Sequence, residues 1–296
     1  MSQVSTAGPR RLLTSLLLVF AGLACGSEQS APTPSSADRI IALAPGITET
    51  LFELGLGERV VGVGNYSSWP PEVAQKPKLG GLFDARLEAI TSLQPDLAIL
   101  LPSEEELRVQ LERLGVEVLT VRSETLADVE TMIATIAERC GVADRGEVVL
   151  ERWRQGLAPN PIEGRPRILL SVGRESGRMA DVLVSGPGTH LDELLGLMGA
   201  VNAFADAPLD YPQVGLEEIL QRQADVVIDL QPSPGMYEEL AVEWQDLRAQ
   251  TDMAPACARV VAGDHVLIPG PRLPRLDPVS YTHLTLPTIR GGGGGG

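Results

Sequence analysis

The chain has 296 residues, of which 44% are apolar, and a formal net charge of −15. This length and apolar content exclude a disordered protein and allow either one large domain or two of moderate size. Without the first 24 and the last 18 residues, the chain has 21 basic and 39 acidic side chains. This negative charge opposes binding to nucleic acid, because phosphates require clustered Lys and Arg.

The N-terminus has the pattern of an export signal. Arg10 and Arg11 precede an apolar run over residues 12–24, which is too short to cross a hydrocarbon layer of ~30 Å comfortably as a helix. We therefore predict a signal peptide over residues 1–24. Residues 25–38 are rich in Ser, Pro and Ala without an apolar period, which predicts a flexible tether.

Helix and strand patterns then alternate, as is typical of an α/β fold. The first strand is predicted at residues 39–44 and ends at Pro45-Gly46, after which Thr48 is expected to cap a helix that runs to Leu54. Strands are predicted next at 60–63, 97–101 and 116–121, and helices at 104–114, 126–139 and 144–157.

Prolines and a glycine at 159, 161, 164 and 166 are the strongest break in the chain, so a boundary between two units is predicted there. The second unit restarts with strands at 167–172 and 181–185, a helix at 191–198, and a last strand or hairpin at 260–268. Residues 277–296 continue neither a helix nor a strand and end in six glycines. They resemble translated adapter sequence, so we expect a non-native tail and a missing natural C-terminus.

A pattern repeats between the two units. The stretch LEAITSLQPDLAIL at 87–100 returns 129 residues later as LEEILQRQADVVID at 216–229. Each copy predicts a short amphipathic helix, a break, and a buried strand whose continuous apolar run suits a parallel sheet covered on both faces. The repeat favours two similar α/β units, and a chance match between two ordinary helix-strand segments is the alternative.

Aromatic residues are rare, at 4% of the chain, yet Tyr66 and Trp69 share one polar loop at the end of a predicted strand. Aromatic rings offer flat apolar area at low entropic cost and suit recognition of a large ligand. Tyr66 is therefore predicted to face a ligand. Trp69 either does the same or covers its loop against Pro70 and Pro71.

Motifs for catalysis and for bare metal ions are missing from the sequence. We find no HExxH, GxSxG or Walker loop, and Asp192 and Glu193 are adjacent on a helix and so point to different faces. An enzyme is therefore disfavoured. So is a zinc or manganese receptor, because only His190 and His265 lie in the native sequence. We predict no metal site and no cofactor, and expect His190 to line a cleft at a helix start.

An ordered set of segments resembles the periplasmic cobalamin and iron-siderophore binding proteins of ABC importers. The segments are RIIALAPGITETLFELGLGERVVGVGNYSSWPPE, LGG, LEAITSLQPDLAIL, GPGTHLDELLGLMGAVN, YPQVGLEEIL and IPGPRL. The resemblance implies two Rossmann-like α/β lobes, at 39–142 and a truncated 165–276, joined by a single long helix at 143–158. The ligand is expected in the cleft between the lobes, which would close by a small rocking motion.

The resemblance also implies roles for single residues. Matching ligand positions are Pro45, Tyr66, Phe83 and Tyr211, and Tyr211 stands where cobalamin binders often have tryptophan. A corrinoid such as cobalamin is the first expectation, and a ferric siderophore or haem is the alternative. Glu88 and Glu217 match the two glutamates that meet arginines of the membrane permease. The alternative is that both merely favour the positive end of a helix dipole.

The sequence Gly22-Leu23-Ala24-Cys25-Gly26 resembles the lipobox of bacterial lipoproteins, although Gly22 stands where leucine is usual. The resemblance implies that Cys25 is lipidated and anchors a monomer in the periplasm or on the outer face of the cytoplasmic membrane. A soluble exported protein is the alternative. Cys140 and Cys257 fall in different units and are expected to be two buried free thiols.

Overall fold

A computed structural model describes residues 37–275, except 160, 176, 178, 233–236 and 251–256. The predicted signal peptide, nearly all of the tether with Cys25, and the predicted tail at 277–296 lie outside the described residues. In the described part of the chain, no helix is both long and apolar enough to cross a bilayer.

The first lobe is built on a sheet of four parallel strands in the order β2-β1-β3-β4. Successive residues of a strand point to opposite faces, and in β1 Ile40 and Ala42 pack into one core while Ile41 packs into the other. Helices α1, α4 and α5 cover one face, and α2 and α3 cover the other. The elements are β1 Ile40–Ala42, α1 Pro45–Glu53, β2 Val60–Val63, α2 Leu87–Ser92, β3 Leu97–Leu100, α3 Glu105–Arg113, β4 Glu117–Thr120, α4 Leu126–Arg139 and α5 Ala143–Gly156.

The second lobe has a mixed sheet in the order β10-β9-β5-β6-β8, with β7 also paired to β5. Strands β10, β9, β5 and β7 are parallel, whereas β6 and β8 run antiparallel to their neighbours. The elements are β5 Arg167–Gly173, β6 Val182–Val184, α6 His190–Leu197, β7 Val201–Asn202, β8 Gln213–Val214, α7 Leu216–Gln221, β9 Val226–Gln231, α8 Tyr237–Gln250 and β10 Cys257–Ala262. The predicted α/β class with two lobes is confirmed.

The two copies of the sequence repeat, at 87–100 and 216–229, make the same hydrogen bonds in the two lobes. The Asp96 carboxylate accepts the backbone N–H of Arg39, with Oδ1 3.1 Å from the nitrogen, and the Asp225 carboxylate accepts that of Arg167 at 2.7 Å. These bonds tie the residue before β3 to the start of β1, and the residue before β9 to the start of β5. We call each such pair a carboxylate clamp.

The arginine of each clamp makes a second matching contact. Arg39 Nε donates to the carbonyl of Leu93 at 2.9 Å, and Arg167 Nε donates to that of Arg222 at 2.8 Å. The next residue in each copy, Gln94 or Gln223, has a positive φ of 47° or 48° that ends the helix. A chance match of two helix-strand segments would not reproduce this set of contacts.

Two predicted elements differ from the structure. Thr48 does not cap α1, because the helix begins at Pro45 and Ala44 is its N-cap. Proline suits a first helical turn, where a backbone N–H has no partner within the helix. The Thr48 hydroxyl instead donates to the Ala44 carbonyl at 3.2 Å. The last strand was predicted too late, since β10 ends at Ala262 and a short 3₁₀ turn follows it.

The segment 269–273, which we call the return segment, leaves the second lobe and packs on the first. Arg272 forms a buried ion pair with Glu49 of α1, with Nε 2.9 Å from Oε2. Trp153 of α5 donates its indole N–H to the Gly270 carbonyl at 3.3 Å. Leu273 belongs to the core of the first lobe. A Cβ atom at Gly46 would lie 2.2 Å from the Pro269 carbonyl oxygen, so this close approach requires glycine.

The second lobe contains a charged side chain in the middle of its apolar sheet. Asp229 of β9 is fully buried and forms an ion pair with Arg174, whose Nε lies 2.8 Å from Oδ2. Its carboxylate also accepts the indole N–H of Trp244 at 2.8 Å and the hydroxyl of Ser171 at 3.1 Å. All the donors converge on one carboxylate, so removing its charge leaves buried groups without their partner.

The two cysteines outside the N-terminal region are buried free thiols, as predicted. Cys140 lies in a core of the first lobe and Cys257 in a core of the second. Burial raises the pKa of the Cys140 thiol above its ordinary value, which keeps that sulfur protonated and unreactive.

We expect Asp229→Asn to lower the free energy of unfolding by about 3 kcal/mol, because it breaks a buried ion pair. Urea unfolding followed by circular dichroism measures the change. Glu105→Gln is the matched control, since Glu105 pairs with Arg108 on the exposed surface of α3 and its loss should change little. Equal stability of the two variants would contradict this role of Asp229.

Candidate functional site

The parallel strands of the first lobe all end at the same edge of the sheet. The loops that follow β1, β2, β3 and β4 therefore meet there, which is where open α/β sheets bind their ligands. These loops carry Pro45, Tyr66, Glu104 and Glu124 in turn. We call this edge the ligand edge.

Tyr66 and Phe83 stand out from the ligand edge with 76% and 90% of their surface exposed. Their loops are joined by two hydrogen bonds, from Asn65 N–H to the Gly80 carbonyl at 2.8 Å and from Gly80 N–H to Asn65 Oδ1 at 3.2 Å. A Cβ atom on Gly81 would lie 3.3 Å from Cε2 of the Tyr66 ring. The structure thus brings the tyrosine loop and the turn before Phe83 together, leaving both rings free to contact a ligand.

Pro45 and Trp69 are placed differently. Pro45 occupies the first position of α1 at the ligand edge and is half-buried. The Arg272 guanidinium lies over the Trp69 ring, 5.0 Å from its centroid, and Trp69 shares a depression with Phe52 and Gln75. These contacts favour a structural role for Trp69, and a ligand role for it stays a prediction.

Tyr211 brings an aromatic ring from the second lobe to the ligand edge. It is 40% exposed, and its hydroxyl forms a hydrogen bond with Thr189. Burial of the phenol raises the pKa of Tyr211 to about 12, with smaller contributions from the carboxylates of Asp210 and Glu124. Tyr211 lies near the loop after β4 of the first lobe, because its partner Thr189 directly precedes His190, whose backbone N–H donates to the Glu124 carbonyl at 2.7 Å. Its phenol stays neutral at physiological pH and can donate a hydrogen bond.

His190 lies at the boundary between the lobes, as the first residue of α6. Its backbone N–H donates to the Glu124 carbonyl of the first lobe at 2.7 Å. The side chain is only 3% exposed, and neither ring nitrogen has a partner among the described residues. Burial lowers the pKa of His190 to about 4, so the ring is neutral at pH 7. The ring does not line an open cleft in this conformation, and a ligand role for it stays a prediction.

A second contact crosses between the lobes beside His190. The Glu193 carboxylate of α6 accepts the backbone N–H of Leu126, the first residue of α4, at 2.5 Å. A carboxylate at a helix N-terminus is favoured by the unpaired N–H groups and the dipole there. The sequence did not predict this contact between the lobes. Glu193 lies in the first turn of α6, where an acidic residue is common for the stability of that helix alone.

Glu104 was predicted only as the beginning of a charged helix, but the structure turns its side chain inward. The residue is 2% exposed in the 3₁₀ turn Pro102–Glu104 that follows β3, and Oε2 accepts the Leu101 N–H at 2.7 Å. Oε1 has no hydrogen-bond partner among the described residues. Burial raises the pKa of Glu104 to about 7, against the smaller opposing effect of the Leu101 hydrogen bond.

The described residues contain no group of three or more His, Cys, Asp or Glu side chains arranged to hold a metal ion. The aromatic rings of Tyr66 and Phe83 are exposed at the ligand edge.

Comparison with known proteins identifies the family. Residues 40–246 match the family described as "Periplasmic binding protein". The chain belongs to this family. The vitamin B12-binding protein of Vibrio cholerae is 28% identical over 200 residues, which cover 66% of this chain and 71% of that protein.

Two further relatives agree with this placement. An uncharacterized ABC transporter substrate-binding lipoprotein of Bacillus subtilis is 26% identical over 233 residues, which cover 75% of this chain and 73% of that protein. The solved structure of a periplasmic heme-binding protein from Roseiflexus sp. RS-1 superimposes with a TM-score of 0.68 and 26% identity. The superposition covers 84% of this chain and 96% of that one.

Glu88 and Glu217 occupy equivalent places in the two lobes of this periplasmic binding protein. Each is exposed in the first turn of its helix, α2 or α7, directly before a clamped strand. The Glu217 carboxylate accepts a hydrogen bond from Gln221 one turn later, at 3.2 Å. The two glutamates form a matched pair of exposed acids, one on each lobe, and their docking role stays a prediction.

We expect His190 to make stability pH-dependent between its ordinary pKa of 6.5 and its folded pKa of about 4. Above pH 6.5 the ring is neutral in both states and contributes no pH dependence. As the pH falls, the unfolded chain takes up a proton that the folded protein does not, so stability drops by up to roughly 3 kcal/mol.

The measurement is the free energy of unfolding in urea at pH 7.5, 5.5 and 4.5. In His190→Gln the difference between pH 7.5 and 4.5 should shrink relative to the parent protein. His265→Gln is the control and should keep the parent slope. If all three proteins lose stability equally, His190 is not the group responsible.

Proposed function

We propose that this periplasmic binding protein is the substrate-binding component of an ABC importer and captures a corrinoid such as cobalamin outside the cytoplasm. The observation that carries the proposal is the set of aromatic rings at the ligand edge. Tyr66 and Phe83 come from the first lobe and Tyr211 from the second. Large, flat, mostly apolar faces of a ligand are recognised by such rings.

The relatives support this choice without deciding the ligand. The relative from Vibrio cholerae is named a vitamin B12-binding protein, which favours a corrinoid. The Roseiflexus protein is named a heme-binding protein, and haem is also a flat metal chelate. Haem or a ferric siderophore is therefore the second candidate for the same site.

Delivery would use the two exposed glutamates. In our proposal Glu88 and Glu217 meet basic side chains of the permease, one from each lobe. An exposed ion pair contributes ~0–1 kcal/mol, so two such pairs set orientation more than affinity. The relative from Bacillus subtilis is named a lipoprotein, which supports a lipid anchor at Cys25. We further propose that the protein acts as a monomer and has no catalytic activity.

We expect purified protein to bind cyanocobalamin, and Tyr66→Ala and Phe83→Ala each to weaken binding by about tenfold or more. Burying an aromatic ring removes 150–250 Å² from water, which at ~25 cal/mol per Å² exceeds the 1.4 kcal/mol of one tenfold step. Tryptophan fluorescence or calorimetric titration measures the affinity, with haem and several ferric siderophores titrated in parallel.

Val148→Ala is the control for these titrations, because Val148 is an exposed apolar residue of α5 outside the ligand edge. It should leave the affinity unchanged. Absence of corrinoid binding at micromolar concentration would overturn the corrinoid proposal, and tight binding of haem in its place would establish the second candidate.

We expect the double substitution Glu88→Arg and Glu217→Arg to abolish corrinoid uptake while leaving ligand affinity unchanged. Charge reversal turns attraction to permease arginines into repulsion, whereas both side chains are exposed in the first turns of α2 and α7. Uptake of radiolabelled cobalamin by cells measures transport, and titration measures affinity.

Glu147→Arg is the matched control, a charge reversal at an exposed glutamate of α5. Transport by this control should equal that of the parent. A loss of ligand affinity in the double variant would show that the two glutamates serve the ligand site or the fold instead of docking.

A further inference from the structure

Lys78 is a half-buried lysine whose side chain reaches the loop that carries Tyr66. Its ammonium group donates hydrogen bonds to the backbone carbonyls of Ser67 and of Gly64, the latter at 3.5 Å. These two carbonyls belong to residues on either side of Tyr66 in the chain. The lysine thus holds both ends of residues 64–67, which we call the tyrosine loop.

The charge of Lys78 is compensated by the loop and not by an acid. Among the described residues, no carboxylate pairs with its ammonium group. Burial lowers the pKa of Lys78 below its ordinary value, because the charged form loses hydration there. A charged donor makes a hydrogen bond roughly twice as strong as a neutral donor does. The ammonium group is therefore a strong tie on the tyrosine loop.

The backbone of Lys78 adjoins the turn that carries Phe83. Nη2 of Arg86 donates to the Lys78 carbonyl, and the backbone N–H of Arg86 donates to the Leu79 carbonyl at 2.8 Å. These bonds close residues 79–86 into a turn, which we call the phenylalanine turn. One residue thus joins the two segments with exposed rings, because its side chain holds the tyrosine loop and its carbonyl holds the phenylalanine turn.

Other contacts fix the ends of the tyrosine loop but leave its ring exposed. The Gly64 N–H donates to the Ala42 carbonyl at 3.0 Å, and the Ser67 N–H donates to the Gly64 carbonyl at 3.2 Å. The Ser67 hydroxyl also shares a hydrogen bond with the buried Thr48 hydroxyl at 3.0 Å. The Tyr66 ring is 76% exposed, so its direction depends chiefly on the backbone of this turn.

Resting on the proposed function, we propose that Lys78 is a positioning residue that holds the Tyr66 ring at a fixed place beside Phe83 before the ligand arrives. The lysine acts through the tyrosine loop and does not contact the ligand. A loop that is already ordered loses less conformational freedom on binding, so more of the contact energy of its ring appears as affinity.

The test removes the ammonium group and keeps the stem of the side chain, in Lys78→Met. We expect cyanocobalamin to bind this variant about fivefold more weakly than the parent protein, because the loosened loop has to be ordered on binding. Calorimetric titration measures the affinity, and Lys78→Ala is a second variant with the same expected loss. Lys78→Arg keeps a charged donor and should bind within about twofold of the parent.

Lys76→Met is the matched control. Lys76 and Lys78 are the only lysines in the sequence, and in the described structure Lys76 makes no side-chain hydrogen bond to the tyrosine loop. This variant should bind cyanocobalamin like the parent protein.

A double-mutant cycle separates positioning of the ring from a general effect on the fold. In a Tyr66→Ala background, Lys78→Met should change the affinity by less than about twofold, because the ring that Lys78 positions is gone. Hydrogen exchange is a second measurement and needs no ligand. The N–H groups of Asn65 and Ser67, which donate to backbone carbonyls, should exchange several-fold faster in Lys78→Met, whereas those of β9 should keep the parent rate.

Thermal unfolding of each variant verifies that it is folded. If Lys78→Met and Lys78→Ala bind cyanocobalamin like the parent protein, or weaken binding equally with and without the Tyr66 ring, the role of Lys78 is overturned and corrinoid capture stands. Unchanged hydrogen exchange in the tyrosine loop would overturn it as well. If the parent protein binds no corrinoid at all, both the capture proposal and the role of Lys78 in it are overturned.

Discussion

Each lobe depends on a carboxylate that accepts a backbone N–H at the start of its central strand. The bonds from Asp96 to Arg39 and from Asp225 to Arg167 fix which residues of neighbouring parallel strands lie side by side. A shift of one residue would turn the apolar side chains of a strand to the opposite face. The same register decides where each strand ends, so the loops that carry the candidate ligand residues are positioned by contacts at the other end of the sheet.

The buried carboxylates and the buried histidine among the described residues fall into two sets. Asp229 and Glu49 meet arginines inside the structure, and these pairs stabilise a lobe or join the return segment to it. Glu104 and His190 are equally buried, yet each has a nitrogen or oxygen atom without a partner in the part of the chain that the structure describes. The first lies at the ligand edge and the second at the boundary between the lobes. Local rules of good packing are broken where a protein binds or moves, and both places fit that expectation.

Periodic patterns explain why most of the fold was predictable. Helix α4 and strand β2 were predicted with their observed ends. The apolar residues of α4 recur with the helical period, and those of β2 form a short continuous run that is typical of a buried strand. The predicted start of α1 was wrong. Pro45 and Thr48 are both residue types that occur at helix starts, and the local sequence does not decide which of the two begins the helix. Glu104 was missed for a different reason. A sequence pattern shows that a residue is charged, but the direction of its side chain depends on the strand end it folds against.

The return segment has a consequence for the order in which the chain can fold. Leu273 completes the core of the first lobe, and Arg272 pairs with Glu49, 223 positions earlier in the chain. Contacts at such separation form late, because the closure of a long loop must precede them. A ribosome therefore has to synthesise nearly the whole chain before the first lobe can reach its final packing.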